Sequence, residues 1–345
     1  MFILDKITRL RTRFERNSPF GLTFALARAL LALSTLLTLA VNTTDTLFPA
    51  SLLKATPRSY VDSITLYHTL FYQNLVGYKL FALLILAAVI SGWRPRITGV
   101  LHWWVSYTFF MTSDLVDGGD QINAILCLIL VPLTLLDSRP NHWNFSVLAQ
   151  QATPYKNIVG NSLISLAGVQ MCYLYFQAAV DKLKVSQWVD GTSLYYWTTH
   201  NVFGAPDWLQ TILHPITHNG VTLLLTTWLV LVLEALLAAA IVMGKSRKLS
   251  LLAVGIVFHL GIALTHGLIS FFFSMSGGLV LYLLPRHKKY NVRFTEVRGW
   301  LVELLAALTG SLRNWKLQGA SLLTEPSLLK RFGAALAKPK KALPR

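Results

Sequence analysis

Apolar residues in this chain come in long blocks, separated by short stretches that hold most of the charges. A helix rises 1.5 Å per residue, so a hydrocarbon layer about 30 Å thick needs roughly 20 apolar residues to cross, with a range of about 17–25. Eight blocks approach that length: 21–41, 76–91, 97–111, 121–136, 158–180, 221–243, 250–265 and 268–284. The first, fifth and sixth fit comfortably. The second, third and fourth are short enough to merge or to lie partly re-entrant, and the last two are joined only by His266 and Gly267. Helices satisfy their own backbone groups in lipid. The pattern therefore predicts an all-α fold, a polytopic transmembrane helix bundle of about eight spans.

Composition agrees. Of 345 residues, 54% are hydrophobic and 13% charged, against about 25% charged in soluble domains. An ordinary water-soluble enzyme is excluded. Lys and Arg number 31 against 15 Asp and Glu. With the N-terminus in the cytoplasm, 25 of these basic residues fall on inner segments: Lys6, Arg9, Arg11, Arg13 and Arg16, then Arg94, Arg96, Arg139, Lys156, Lys245, Arg247 and Lys248, and thirteen beyond residue 284. The outer segments hold Lys54, Arg58, Lys182 and Lys184. Cytoplasmic loops are rich in Lys and Arg, so both termini are expected inside, and no nucleic-acid partner is needed to explain the charge. The first block is too long for a signal-peptide core and is read as a retained span.

Three regions follow: a basic cytoplasmic N-terminus, 1–20; a transmembrane domain, 21–284; and a basic cytoplasmic tail, 285–345. In the tail, Trp300, Leu301, Leu304, Leu305 and Leu308 recur at helical spacing beside Arg298 and Arg313. That pattern predicts a helix lying on anionic membrane lipids. Cys127 and Cys172 sit in separate blocks and read as small buried hydrophobes, and no spacing resembles a metal site.

Polar groups inside apolar blocks are costly and ask for an explanation. Glu234, mid-block in Leu-Val-Leu-Glu-Ala-Leu, needs a partner, a cavity or water, either for packing or for function. Arg28 and Lys79 lie near block ends and are expected to snorkel. His259 and His266 share a helix face two turns apart, a spacing that favours interior hydrogen bonding over metal binding. Asp114, Asp117 and Asp120 crowd around Gly118 and Gly119. They suit cation binding, acid/base chemistry or a solvated acidic turn. The run from Tyr175 through Asp181, Lys182 and Lys184 to Trp188 and Gly191 ends the fifth block. A lysine there, among aromatic neighbours, acts either as a desolvated base or as an interfacial anchor backed by Tyr195, Tyr196 and Trp197. The segment 181–220, with His200, His214 and His218, reads as an outer surface loop.

Tyr175-Phe176, Val180, Lys182-Leu183, Trp188 and Gly191, together with Phe258-His259-Leu260, resemble the horizontally transferred transmembrane (HTTM) family, which includes the vitamin K-dependent gamma-glutamyl carboxylase. Asp117-Gly118-Gly119-Asp120-Gln121, Asp137-Ser138-Arg139 and His142-Trp143 are similar to its sporulation-delaying-protein B (SdpB) branch, over residues 15–285. The resemblance implies a multi-pass protein of the bacterial plasma membrane that matures or exports a secreted antimicrobial peptide. Its partners would be the exported precursor peptide and an SdpA-like protein. A carboxylase-like version would use Lys182 as base, Asp117 and Asp120 as polar or acid groups, and a reduced quinone as cofactor. Trp188, Tyr175, Glu234 and His259 would then line the substrate site. A carboxylase histidine falls near Asp120 here, a departure that puts carboxylation itself in question. A small-molecule or peptide transporter, motivated by Glu234, His259 and short third and fourth blocks that could be broken helices, is the reading from a different class.

Overall fold

The computed structural model describes residues 2–48, 60–72, 74–146 and 153–286. The helix expected in the tail lies outside them. All regular elements among the described residues are helical: α1 (Phe2–Arg16), α2 (Leu22–Val41), α3 (Leu75–Ser91), α4 (Pro95–Thr112), α5 (Gly118–Leu136), α6 (Pro154–Lys182), α7 (Ser186–Val189), α8 (Ser193–Thr199), α9 (Asp207–Thr217), α10 (Gly220–Ala239), α11 (Lys245–His266) and α12 (Ile269–Leu283). Short helical turns at Thr44–Leu47, Tyr60–Ser63 and Leu66–Thr69 link α2 to α3.

Five helical segments are long and apolar enough to cross a membrane: Leu22–Val41, Gly118–Leu136, Pro154–Lys182, Gly220–Val242 and Lys245–His266. Leu75–Ser91 and Ile269–Leu283 are shorter apolar helices. The third and fourth blocks do not merge. They form separate helices, α4 and α5, divided at 113–117. The fifth block grows at both ends into a 29-residue helix, about 43 Å long. Thr153 caps its start, accepting a bond from the Lys156 N–H, and Pro154 occupies the first turn, where its missing N–H costs nothing.

Large apolar side chains such as Leu80, Leu84, Leu225, Leu229, Val257 and Leu264 are exposed along the helix flanks. Such an outer surface is stable against lipid tails and not against water. The centre is built by α12, in which every residue from Ser274 to Leu283 is buried. Its Ser-Met-Ser-Gly-Gly run makes this possible, because small residues let backbones approach. A Cβ on Gly277 would meet Leu31 of α2 at 3.0 Å, and one on Gly278 would meet Met171 Sδ of α6 at 2.6 Å. Ser274 and Ser34 share a hydrogen bond of 2.7 Å across the same contact. A second apolar cluster, including Leu39, Tyr78, Leu86, Val105 and Phe109, joins α2 to α3 and α4.

Two sequence expectations need correction. The segment 181–220 is not an open loop but a cap of three helices, α7 to α9. Arg28 does not snorkel: it is 1% exposed, and its guanidinium donates to Thr98 Oγ1 at 3.1 Å and bonds His142 Nδ1 at 2.8 Å. Lys79 is half-buried and donates to the Asn42 carbonyl at 2.7 Å.

Candidate functional site

Helix α6 carries Tyr175 and Lys182 seven residues apart, two turns along one face. That face meets α10 through Lys182 and α11 through Tyr175. Lys182 Nζ donates to Glu234 Oε1 at 2.7 Å, with side chains 24% and 7% exposed. The ammonium also stands 5.3 Å from the centre of the Trp188 ring, close enough for a cation–π contact. Glu234 therefore has a partner from a neighbouring helix, which explains a carboxylate in the middle of an apolar block. Two turns deeper, Tyr175 Oη and His259 Nε2 are 2.8 Å apart. Phe271 of α12 sits edge-on to the His259 ring at 5.5 Å. His266 lies apart from this pair, with Nδ1 2.6 Å from the Phe203 carbonyl oxygen.

The cap is held against this end by Gly191. Its φ of +82° is open to glycine and strained for most residues. A Cβ there would fall 2.3 Å from Leu224 Cδ1 and 2.9 Å from Leu224 Cα. The close approach lets Thr227 Oγ1, two turns before Glu234, donate to the Gly191 carbonyl at 2.9 Å. Trp188 is thereby fixed over Lys182. Farther out in the cap, His214 and His218 stack at 3.8 Å beside a cavity of about 320 Å³ that Asp207 and Gln210 also line.

Asp117 and Asp120 form a reciprocal capping box at the start of α5. Asp117 Oδ1 accepts from the N–H of Gly119 at 2.7 Å and of Asp120 at 3.1 Å, while Asp120 Oδ2 accepts from the Asp117 N–H at 3.1 Å. Asp120 is 4% exposed, so this is not a solvated acidic turn. Burial pushes the Asp117 carboxyl above its usual range, and the two N–H bonds pull it part of the way back. Gly119 presses against Phe271, the ring that also touches His259: a Cβ on Gly119 would meet Phe271 Cδ2 at 2.9 Å. The capping box and the Tyr175–His259 pair thus flank one aromatic side chain. Asp114 is exposed and stands outside the box.

Three buried side-chain atoms in this region have no hydrogen-bond partner among the described residues: Glu234 Oε2, His259 Nδ1 and Asp120 Oδ1. Buried polar atoms are nearly always paired. Orphans on three of the sequence-predicted residues mark the region as one that can receive a ligand or water. No group of three or more metal-ligating side chains occurs among the described residues.

A second polar assembly could not be read from spacing. Asp137 and Arg139 form a fully buried two-pronged ion pair at 2.9 and 2.8 Å. Arg139 Nη1 also donates to the His142 carbonyl at 2.9 Å. The His142 ring, bonded to Arg28, is pushed down to about 2 by burial and by the positive charges of Arg28 and Arg139. The backbone N–H of His142 donates to the Gly92 carbonyl, and Trp143 Nε1 to Ile90, both at 2.9 Å. The Asp-Ser-Arg and His-Trp motifs therefore clamp the 137–146 segment onto α2 and the α3–α4 turn. Within the bundle, Cys127 of α5 lies 3.5 Å from His102 Nε2 and donates to Asn123 Oδ1 at 3.2 Å.

The chain as a whole has relatives among known proteins. The chain is 35% identical over 280 residues to sporulation-delaying protein SdpB of Bacillus subtilis, covering 81% of this chain and 86% of that protein. The chain belongs to the SdpB family. It is also 33% identical over 298 residues to the uncharacterized protein YitO of Bacillus subtilis, covering 86% of this chain and 95% of YitO. No protein-family model matches the chain, and no solved structure matches it.

Proposed function

We propose that this SdpB-family protein works in a sporulation-delaying-protein system of a bacterial plasma membrane, maturing or exporting a secreted antimicrobial peptide. The exported precursor and an SdpA-like protein would be its partners. The observation that carries the reading is the relationship to SdpB together with a half-buried Lys182–Glu234 pair under a helical cap. In this reading the bundle crosses the membrane eight times with both termini cytoplasmic, which puts the cap and the capping box on the outer side.

The chemistry starts from Lys182 as a donor. With Glu234 Oε1 accepting at 2.7 Å, the ammonium must pass a proton to the carboxylate before its amine can act as a base. Tyr175 and His259 can carry a proton between oxygen and nitrogen two turns away. Glu234 Oε2 and His259 Nδ1 are buried and unpaired among the described residues, so they suit a ligand with hydroxyl groups. The reduced quinone implied by the HTTM and carboxylase resemblance is such a ligand, and when bound it would supply reducing electrons. Asp120 fits a carboxylase role less well, since its Oδ2 is held by the capping box.

The transporter reading loses one of its motives, because α4 and α5 are continuous helices rather than broken ones. Mass spectrometry of peptides secreted by the native host decides the matter. It would compare wild type, a deletion, Lys182→Met, and Lys182→Met combined with Glu234→Leu, all at matched membrane levels. A peptide that vanishes or changes mass in every variant supports maturation at this pair. Normal peptide output from a correctly inserted double variant sinks it.

A further inference from the structure

Helices α1, α6, α11 and the end of α12, with the turn at 241–244 and residues 284–286, line a separate open cavity of about 770 Å³. Arg13, Lys245, Lys248 and Arg286 line it, and none of its lining residues is acidic. None of these four cations forms a salt bridge with a carboxylate of the described residues. Arg286 Nη1 donates to the Asn161 carbonyl and to Ser165 Oγ, both at 3.0 Å. Lys248 Nζ donates to the Ile241 carbonyl at 3.3 Å and lies 5.9 Å from the centre of the Tyr282 ring. These partners are neutral, so the positive charge stays uncompensated. Burial, with Arg13 nearby, holds Arg286 down to about 10.

Most of the rest of the wall is apolar and includes Val169 and Leu249. Both are also exposed on the helix flanks, so the cavity is continuous with the surface that faces acyl chains. A small soluble anion would use the cations and leave that wall bare. Basic pockets between span ends are where charged lipid headgroups bind.

We propose that this cavity is a binding site for an anionic phospholipid, with the phosphodiester among Arg13, Lys245, Lys248 and Arg286 and an acyl chain along Val169 and Leu249. The test is native mass spectrometry of the full-length protein in mild detergent, titrated with phosphatidylglycerol, phosphatidylcholine or inorganic phosphate. Phosphatidylglycerol is expected to be retained at least about tenfold more strongly than phosphatidylcholine. Arg13→Gln combined with Lys245→Gln changes two exposed side chains, so the fold is left alone, and it should lower that retention by about tenfold or more. Arg94→Gln combined with Arg96→Gln, remote from the cavity, should leave it unchanged. Equal retention of the two lipids, an unaltered affinity in the cavity variant, or displacement of the lipid by inorganic phosphate would overturn the assignment.

Discussion

Breaking the Lys182–Glu234 pair from either side should cost far more than removing both charges together. At 2.7 Å the attraction is about 6 kcal/mol with an effective dielectric constant of about 20, before desolvation is subtracted. Loss of one partner of a buried pair costs about 3–5 kcal/mol. Lys182 keeps 24% of its side chain exposed, so the lower end, about 3 kcal/mol, is expected for Lys182→Met or Glu234→Leu alone. The double change Lys182→Met with Glu234→Leu leaves no charge stranded, and it should cost no more than either single change. Unfolding in mixed micelles by SDS titration, followed by tryptophan fluorescence, measures all of these on one scale. A positive coupling of about 2 kcal/mol or more is expected. If the single costs simply add to within about 0.5 kcal/mol, the two side chains are not paired and the proton-transfer argument falls with them.

The same titration tests the parts that hold the region in place. Gly191→Ala should destabilise by about 1–3 kcal/mol, because it combines a strained φ with a clash against the Leu224 backbone; wild-type stability would mean that the cap is not docked there. Asp117→Ala should cost about 1 kcal/mol and Asp117→Asn much less, since asparagine also caps helices; equal losses would argue against the capping box. His142 has its folded value near 2 against an ordinary 6.5, so its neutral ring contributes stability that is whole above pH 6.5. That contribution falls as pH drops from 6.5 toward 2, by about 1.4 kcal/mol per pH unit, and His142→Gln should flatten that acid limb relative to wild type.

The helices were legible because lipid forces a simple code: a block of apolar residues of the right length can only be a helix. The boundaries moved where capping chemistry overrode hydropathy, as when Thr153 and Pro154 started α6 four residues before its apolar block began. What hydropathy could not show was which helix occupies the centre. Ile269–Leu283 looks like any short apolar block, and only the small-residue run at 274–278 distinguishes the helix that packs against α2, α5, α6 and α11 at once.

Polar residues in apolar blocks were recognisable as sites needing partners, but a linear sequence gives no pairing. Glu234 was recognisable as demanding a partner, and Lys182 as a charge at a helix end, yet 52 residues separate them. Arg28 shows the opposite failure. Its distance from the block end permits snorkelling, and what prevents it is His142, 114 residues away, on a segment folded back by Arg139 and Asp137. The Asp-Gly-Gly-Asp motif explains why family marks and chemical roles must be argued separately. Two carboxylate oxygens, Asp117 Oδ1 and Asp120 Oδ2, close the helix start, while Asp120 Oδ1 is buried with no partner among the described residues. Capping α5 uses only Oδ2 of Asp120 and leaves the buried Oδ1 unaccounted for. Its position beside Gly119 and Phe271, one ring away from His259, ties the motif to the same end of the bundle as the Lys182–Glu234 pair.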